Sequence, residues 1–158
     1  MRSFFASLVR FSLLFAALMS NGALSTEKIP NTIFEAFVEL DALISPEEKK
    51  SFASAKEDIA ITNSHMGLGT YIRNKWFRSG KSKLIGQMYR YGAESLDDMS
   101  SMLLSAYWRH LNKLPSQLER QGKCYRKWWS EQEENIRIAE KNGSSSYNSP
   151  SFSCIGVD

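Results

Sequence analysis

Long apolar runs are scarce in this 158-residue chain. The longest coherent one, Phe11-Ser12-Leu13-Leu14-Phe15-Ala16-Ala17-Leu18-Met19, has nine residues, where a bilayer-spanning helix needs about 20. A polytopic membrane protein is therefore excluded. Glycine and proline number only nine and four, which excludes collagen-like and low-complexity chains. Histidine is limited to His65 and His110, a thin basis for a metal site, which needs at least one further ligand and a supporting shell. Period-two alternation of apolar and polar residues is missing from every segment, so strands are not expected. Acids are missing between Asp58 and Glu94, although Arg73, Lys75, Arg78, Lys81, Lys83 and Arg90 fall there.

What is present begins with an address. Arg2 and Arg10 form a positive start, the nine-residue run follows, and Ala23-Leu24-Ser25 offers small residues to a signal peptidase. Residues 1–25 read as a secretory signal peptide cleaved before Thr26, and the protein as periplasmic or secreted. Removing Arg2 and Arg10 leaves 18 basic against 17 acidic side chains. A chain so balanced has no bulk electrostatic reason to seek nucleic acid, and no stable membrane anchor is expected after cleavage. Forty-two per cent apolar residues suffice for one domain with a real core.

Two cysteines in an exported chain, Cys124 and Cys154, permit one disulfide, and export favours it over two free thiols. It would pin the Ser-rich tail 143–158 behind a helical domain 26–142.

That domain reads as a series of capped helices. A Ser or Thr followed three residues later by an acid marks a helix start, because the two side chains satisfy N–H groups that the first turn leaves unpaired. Thr32–Glu35, Ser45–Glu48, Ser95–Asp98 and Ser116–Glu119 carry this spacing. Leu96, Met99, Met102, Leu103, Ala106, Tyr107, His110 and Leu111 recur at helical spacing. Helices are also expected over about 56–66, 70–79 and 82–91, punctuated by Gly67, Gly69, Gly80 and Gly92, and over 117–141, with Leu118, Tyr125, Trp128, Trp129, Ile136 and Ala139 inward. The fold class is all-α, a compact bundle of five to seven helices after the cleaved signal peptide.

The stretch Gly67-Leu68-Gly69-Thr70-Tyr71-Ile72-Arg73-Asn74-Lys75-Trp76, then Asp97-Asp98-Met99-Ser100, then Arg109-His110-Leu111-Asn112 resembles a small bacterial helical domain family of unknown function. Its pattern reads Gly-Leu-Gly-x-Trp-Ile-Arg-Asn-x-Trp, Asp-Asp-Met-Ser and Arg-x-Leu-Asn. The resemblance covers about residues 29–113 and leaves the C-terminal helix 114–142 outside. Tyr71 stands where that pattern has Trp, Ala93-Glu94 where His or Pro is common, and Trp108 where His is usual. The family brings a fold neighbourhood and no activity.

The motif residues each admit two readings. Gly67 and Gly69 before a helix start, with His65 and Arg73 nearby, could bind an anion through free N–H groups and a guanidinium fork; a tight helix corner with Arg73 paired to an internal carboxylate explains them as well. Asp97 and Asp98 resemble a catalytic pair, but acids in a first turn favour the helix dipole, and neighbours on a helix point about 100° apart. Arg73 is expected to meet the Asp97–Asp98 turn. His110 lies on an apolar stripe and reads as a core or boundary residue. The basic stretch after Asp58 faces either the early acidic helices or an acidic partner. Tyr125, Trp128 and Trp129 among Arg126 and Lys127 fit an interface or a core.

No nucleophile–base pair, metal-ligand spacing or phosphate loop emerges, so no catalytic residue, metal or cofactor is assigned. The reading is a non-enzymatic protein-binding module of the cell envelope, of immunity or inhibitor type in its most concrete form, with another protein, acidic in one version, as partner. The ligand- or partner-binding candidates are His65, Gly67, Gly69, Arg73, Asn74, Trp76, Asp97, Asp98 and Arg109. The alternative is a small envelope enzyme or anionic-ligand-binding protein using the region of His65, Arg73, Asp97 and Asp98.

Overall fold

The computed structural model describes residues 28–143 and 154–156. The expected signal peptide and most of the Ser-rich tail lie outside the described residues. Those described are all-α, with no strand among them. In order they form α1 (Ile33–Leu43), α2 (Pro46–Ser54), α3 (Glu57–Ser64), α4 (Leu84–Tyr91), α5 (Leu96–Leu111) and α6 (Leu118–Lys141). Two π-helical segments, His65–Gly69 and Ile72–Phe77, continue α3 without a break in the helical path.

Two of the four expected capping boxes are complete. Ser45 with Glu48 and Ser95 with Asp98 each exchange both bonds, and Pro46 opens α2. At α1 the Thr32 hydroxyl accepts from the Glu35 N–H, but the Glu35 carboxylate accepts from Asn31, one residue earlier than expected. The fourth expectation fails. Gln117, at φ 54°, turns the chain into α6 without a side-chain cap, which leaves Ser116 one position too early to serve.

α5 is the centre of the domain and packs against α2, α3, α4, α6 and both π segments. Of its expected apolar stripe, Met99, Met102, Leu103, Ala106 and Tyr107 are buried in the core and Leu96 and Leu111 are partly buried; Leu104 is buried as well. Burying each such large side chain contributes about 1.5–3 kcal/mol. The opposite side is buried too, since Ser100, Ser105 and Arg109 are also inaccessible. A helix enclosed on all sides must satisfy its polar groups internally, and that requirement shapes the site below.

Three further expectations are corrected. Gly67 and Gly69 do not punctuate the chain; both sit inside the continuous helix, and the positive-φ glycines described are Gly80, Gly92, Gly143 and Gly156. His110 is exposed rather than in the core, with its ring stacked on Phe37 at 4.9 Å. Ile136 is exposed, because α6 buries no residue after Gln132 and its last turns extend past the bundle. Trp128 and Trp129 are half-buried and meet edge to face, with centroids 4.6 Å apart.

α6 is held on from two directions. Gly122 lets it cross the end of α4 so closely that a Cβ there would overlap the Tyr91 carbonyl. The expected disulfide joins Cys124 to Cys154, with Cα atoms 5.7 Å apart, and brings Ile155 and Gly156 back against the domain.

Candidate functional site

The two most distinctive sequence blocks meet at Arg73. Its guanidinium reaches Asp97 Oδ1 through Nε at 3.1 Å and donates from Nη1 to Ser100 Oγ at 3.0 Å. Nη2 donates to the His65 carbonyl at 3.2 Å and to Thr70 Oγ1 at 3.0 Å. The expected Arg73 pairing is present and involves Asp97. Asp98 instead accepts from the backbone N–H of Ser95 and Glu94 and from Trp129 Nε1, the last at 2.8 Å. One carboxylate thus joins two helices and the other caps one while anchoring α6.

This geometry replaces the expected anion site. No helix begins after Gly67 and Gly69, so no cluster of free N–H groups forms there. The π turns shift the backbone pairing, and the His65 carbonyl accepts from Arg73 and Thr70 side chains. Gly69 gives Arg73 room, since a Cβ there would stand 3.0 Å from Arg73 Nη1. Gly67 is exposed with nothing within 4 Å of a Cβ, so neither packing nor φ demands a glycine.

Arg109 is the second hub. It grips Glu57 through Nε at 2.9 Å and Nη2 at 2.7 Å, both residues being buried. Glu57 also accepts from the Ser105 hydroxyl, which accepts in turn from Gln121 Nε2. This chain ties α3, α5 and α6 together through groups removed from water. Glu57, Ser105 and Gln121 escape sequence reasoning: Glu57 reads there only as one acid of many, and nothing local marks Gln121.

The remaining candidates divide simply. Trp76 is wholly buried, edge-on to Tyr71, and its Nε1 has no hydrogen-bond partner. Asn74 is exposed. His65 is half-exposed, with Nε2 3.9 Å from Asp97 Oδ1. Among the described residues no three His, Cys, Asp or Glu side chains converge as a metal-ligand set.

Two surfaces lie outside this polar framework. A groove of about 510 Å³ runs between α1, α2 and α3, walled by Leu43, Ile44, Phe52, Ala60 and Leu68, with Gly67 at its edge. Its one charged wall residue, Glu48, has its carboxylate turned to the Ser45 N–H, which holds its pKa below the usual carboxylate range. The second surface is basic. Lys75, Arg78, Lys81, Lys83 and Arg90 are all exposed, while the early acids Asp41 and Glu57 pair with Lys49 and Arg109, neither of them from that stretch.

Residues 29–111 match the family described as Domain of unknown function (DUF6794). The chain belongs to this family. The DUF6794 match runs from just before α1 to the end of α5, so it contains the Arg73 and Arg109 hubs, while Gln121, Trp129 and both cysteines lie beyond it. No curated protein and no solved structure matches the chain.

Proposed function

We propose that this protein is a non-enzymatic, exported module that binds another protein, with the apolar groove between α1, α2 and α3 as its contact surface. The observation that carries the reading is Gly67. The fold has no use for a glycine there, and a side chain at that point would narrow the groove. Leu43 on its wall is half-exposed, and Met66, next to Gly67 in the chain, is 79% exposed. Apolar side chains gathered at a concave surface favour a protein contact over free solvent.

The partner offers apolar anchors flanked by acidic residues. Its acidic part answers Arg78, which is exposed at the end of the same continuous helix. Inhibition of a secreted enzyme, or neutralisation of a toxin, is the most concrete form of such binding. A location outside the cytoplasm accords with the disulfide, and among the described residues no helix is long and apolar enough to cross a membrane. Against an enzymatic role stands the engagement of Arg73, Asp98 and Arg109 by the fold itself. An active site would need such groups turned toward a substrate.

The test is photo-crosslinking from position 66 in exported protein, followed by reconstitution with the purified captured partner. Binding that is lost in Gly67→Phe, with the far-ultraviolet spectrum unchanged, supports the reading. A purified partner that binds the Gly67→Phe protein equally well, or no partner that binds in purified form, overturns it.

A further inference from the structure

Residues of α4 and α6 flank a second concavity, of about 640 Å³. Its walls are Gln87, Arg90 and Tyr91 from α4, and Glu119, Lys123 and Arg126 from α6. The spacings place each set on one helix face, at i, i+3, i+4 on α4 and at i, i+4, i+7 on α6. The glycine at position 122 draws the two helices together, and Arg126 is fixed by its Nη1 bond to the Tyr91 carbonyl at 3.0 Å.

Three cations therefore line one concavity against a single carboxylate. Among the described residues none of Arg90, Lys123 and Arg126 forms an ion pair, even with Glu119 on the same wall. The arrangement differs from the two hubs, where each arginine meets a carboxylate of this chain. The end of α4 gives two of these cations a part in the fold, since Arg90 lies in its last turn and Arg126 satisfies a terminal carbonyl. It does not account for Lys123, three residues before Arg126 on α6. Cations held together without a counter-charge are complementary to an anion from outside.

We propose that the α4–α6 groove binds a small polyanion with two or three closely spaced oxyanion groups, held by Arg90, Lys123 and Arg126. A single oxyanion would leave most of the groove empty, and arginine forks suit phosphate and carboxylate geometry alike. The ligand is thus an oligophosphate or a polycarboxylate. This site is separate from the protein-binding groove and does not depend on it.

Calorimetric titration of the exported protein with tripolyphosphate, citrate and inorganic phosphate tests the proposal. Tripolyphosphate or citrate should bind at least tenfold more tightly than phosphate, and whichever is preferred identifies the source chemistry. Arg90→Ala and Lys123→Ala, both at exposed positions, should each weaken that binding about tenfold or more. Lys81→Ala, on the basic surface outside the groove, should leave it unchanged. The proposal is overturned if neither polyanion binds, if phosphate binds as tightly as they do, or if Lys81→Ala weakens binding as much as the groove variants.

Discussion

Gly69 and Arg73 are fitted to one another. A Cβ on Gly69 would stand 3.0 Å from Arg73 Nη1 and 3.4 Å from the Ser64 carbonyl. The guanidinium folds back over the helix, to reach Ser100 and Asp97, because residue 69 carries no side chain. The first glycine of the same motif meets nothing, so the two glycines have different reasons to be there.

Substituting them should separate those reasons. Gly67→Ala should raise stability by about 0.5–1 kcal/mol, the usual gain from replacing glycine within a helix. Gly69→Ala should be less stable than Gly67→Ala by about 1–2 kcal/mol, because Arg73 must give up or lengthen its Nη1 bond. Urea unfolding of the two variants measures the difference; equal stabilities would disprove the fitted pair.

The two arginine hubs should differ in cost. Glu57 and Arg109 are both buried, so Arg109→Ala or Glu57→Gln should cost about 3–5 kcal/mol by stranding a charged or polar group. Asp97 has a side chain 65% exposed, and Asp97→Ala should cost no more than about 1 kcal/mol. Thermal unfolding of the three variants reads out the contrast.

Reducing the disulfide should cost about 3–4 kcal/mol, the loop entropy expected for a sequence separation of 30 residues. The paired variant Cys124→Ser/Cys154→Ser should show the same loss without reductant. Because the bridge ties α6 to Ile155 and Gly156, hydrogen exchange should accelerate first in α6.

Asp41 and Tyr107 set opposite limbs of the pH profile. Partial burial raises the Asp41 pKa, but the bonds from Lys49 and Tyr107 outweigh it and leave it below 3.8. A carboxyl depressed in the folded state stabilises above its unfolded pKa and loses that contribution as pH falls through its folded one. The stability gap between the protein and Asp41→Asn should therefore persist at pH 6 and shrink as the pH falls below 3.8. Burial pushes the Tyr107 hydroxyl well above 10, and its 2.7 Å bond to Asp41 pushes the same way. Its contribution is complete below the ordinary pKa and fades as pH rises above it. Absorbance at 295 nm should show Tyr107 un-ionised at pH 11 until the protein unfolds.

Much of the fold was legible because its signals are local. Capping at Ser45 and Ser95 needs only residues three apart, and the stripe from Leu96 to Leu111 needs only helical spacing. Gly67 and Gly69 misled because a glycine's conformational freedom is read as a break, whereas here both keep helical φ, and Arg73, four residues after Gly69, packs over that glycine. His110 misled for a related reason. Its spacing matches the buried stripe, but at that end of α5 the ring only lies against Phe37 of α1 and stays exposed.

The all-α class, most helix boundaries and the single possible disulfide were readable from the chain alone, since each follows from neighbouring residues or from elimination; the meeting of Arg73 with the Asp97–Asp98 turn was one of two readings left open there. Only the tertiary structure decided which carboxylate Arg73 takes, that Glu57, Ser105 and Gln121 form one buried chain with Arg109, and that Arg90, Lys123 and Arg126 share a groove. Those partners lie far apart along the chain; burial around α5 selects the Glu57–Ser105–Gln121–Arg109 chain, and the close crossing of α4 and α6 at Gly122 brings the three groove cations together. Helical periodicity records which face of a helix is apolar. It does not record which distant helix supplies the bond that an enclosed polar group must have.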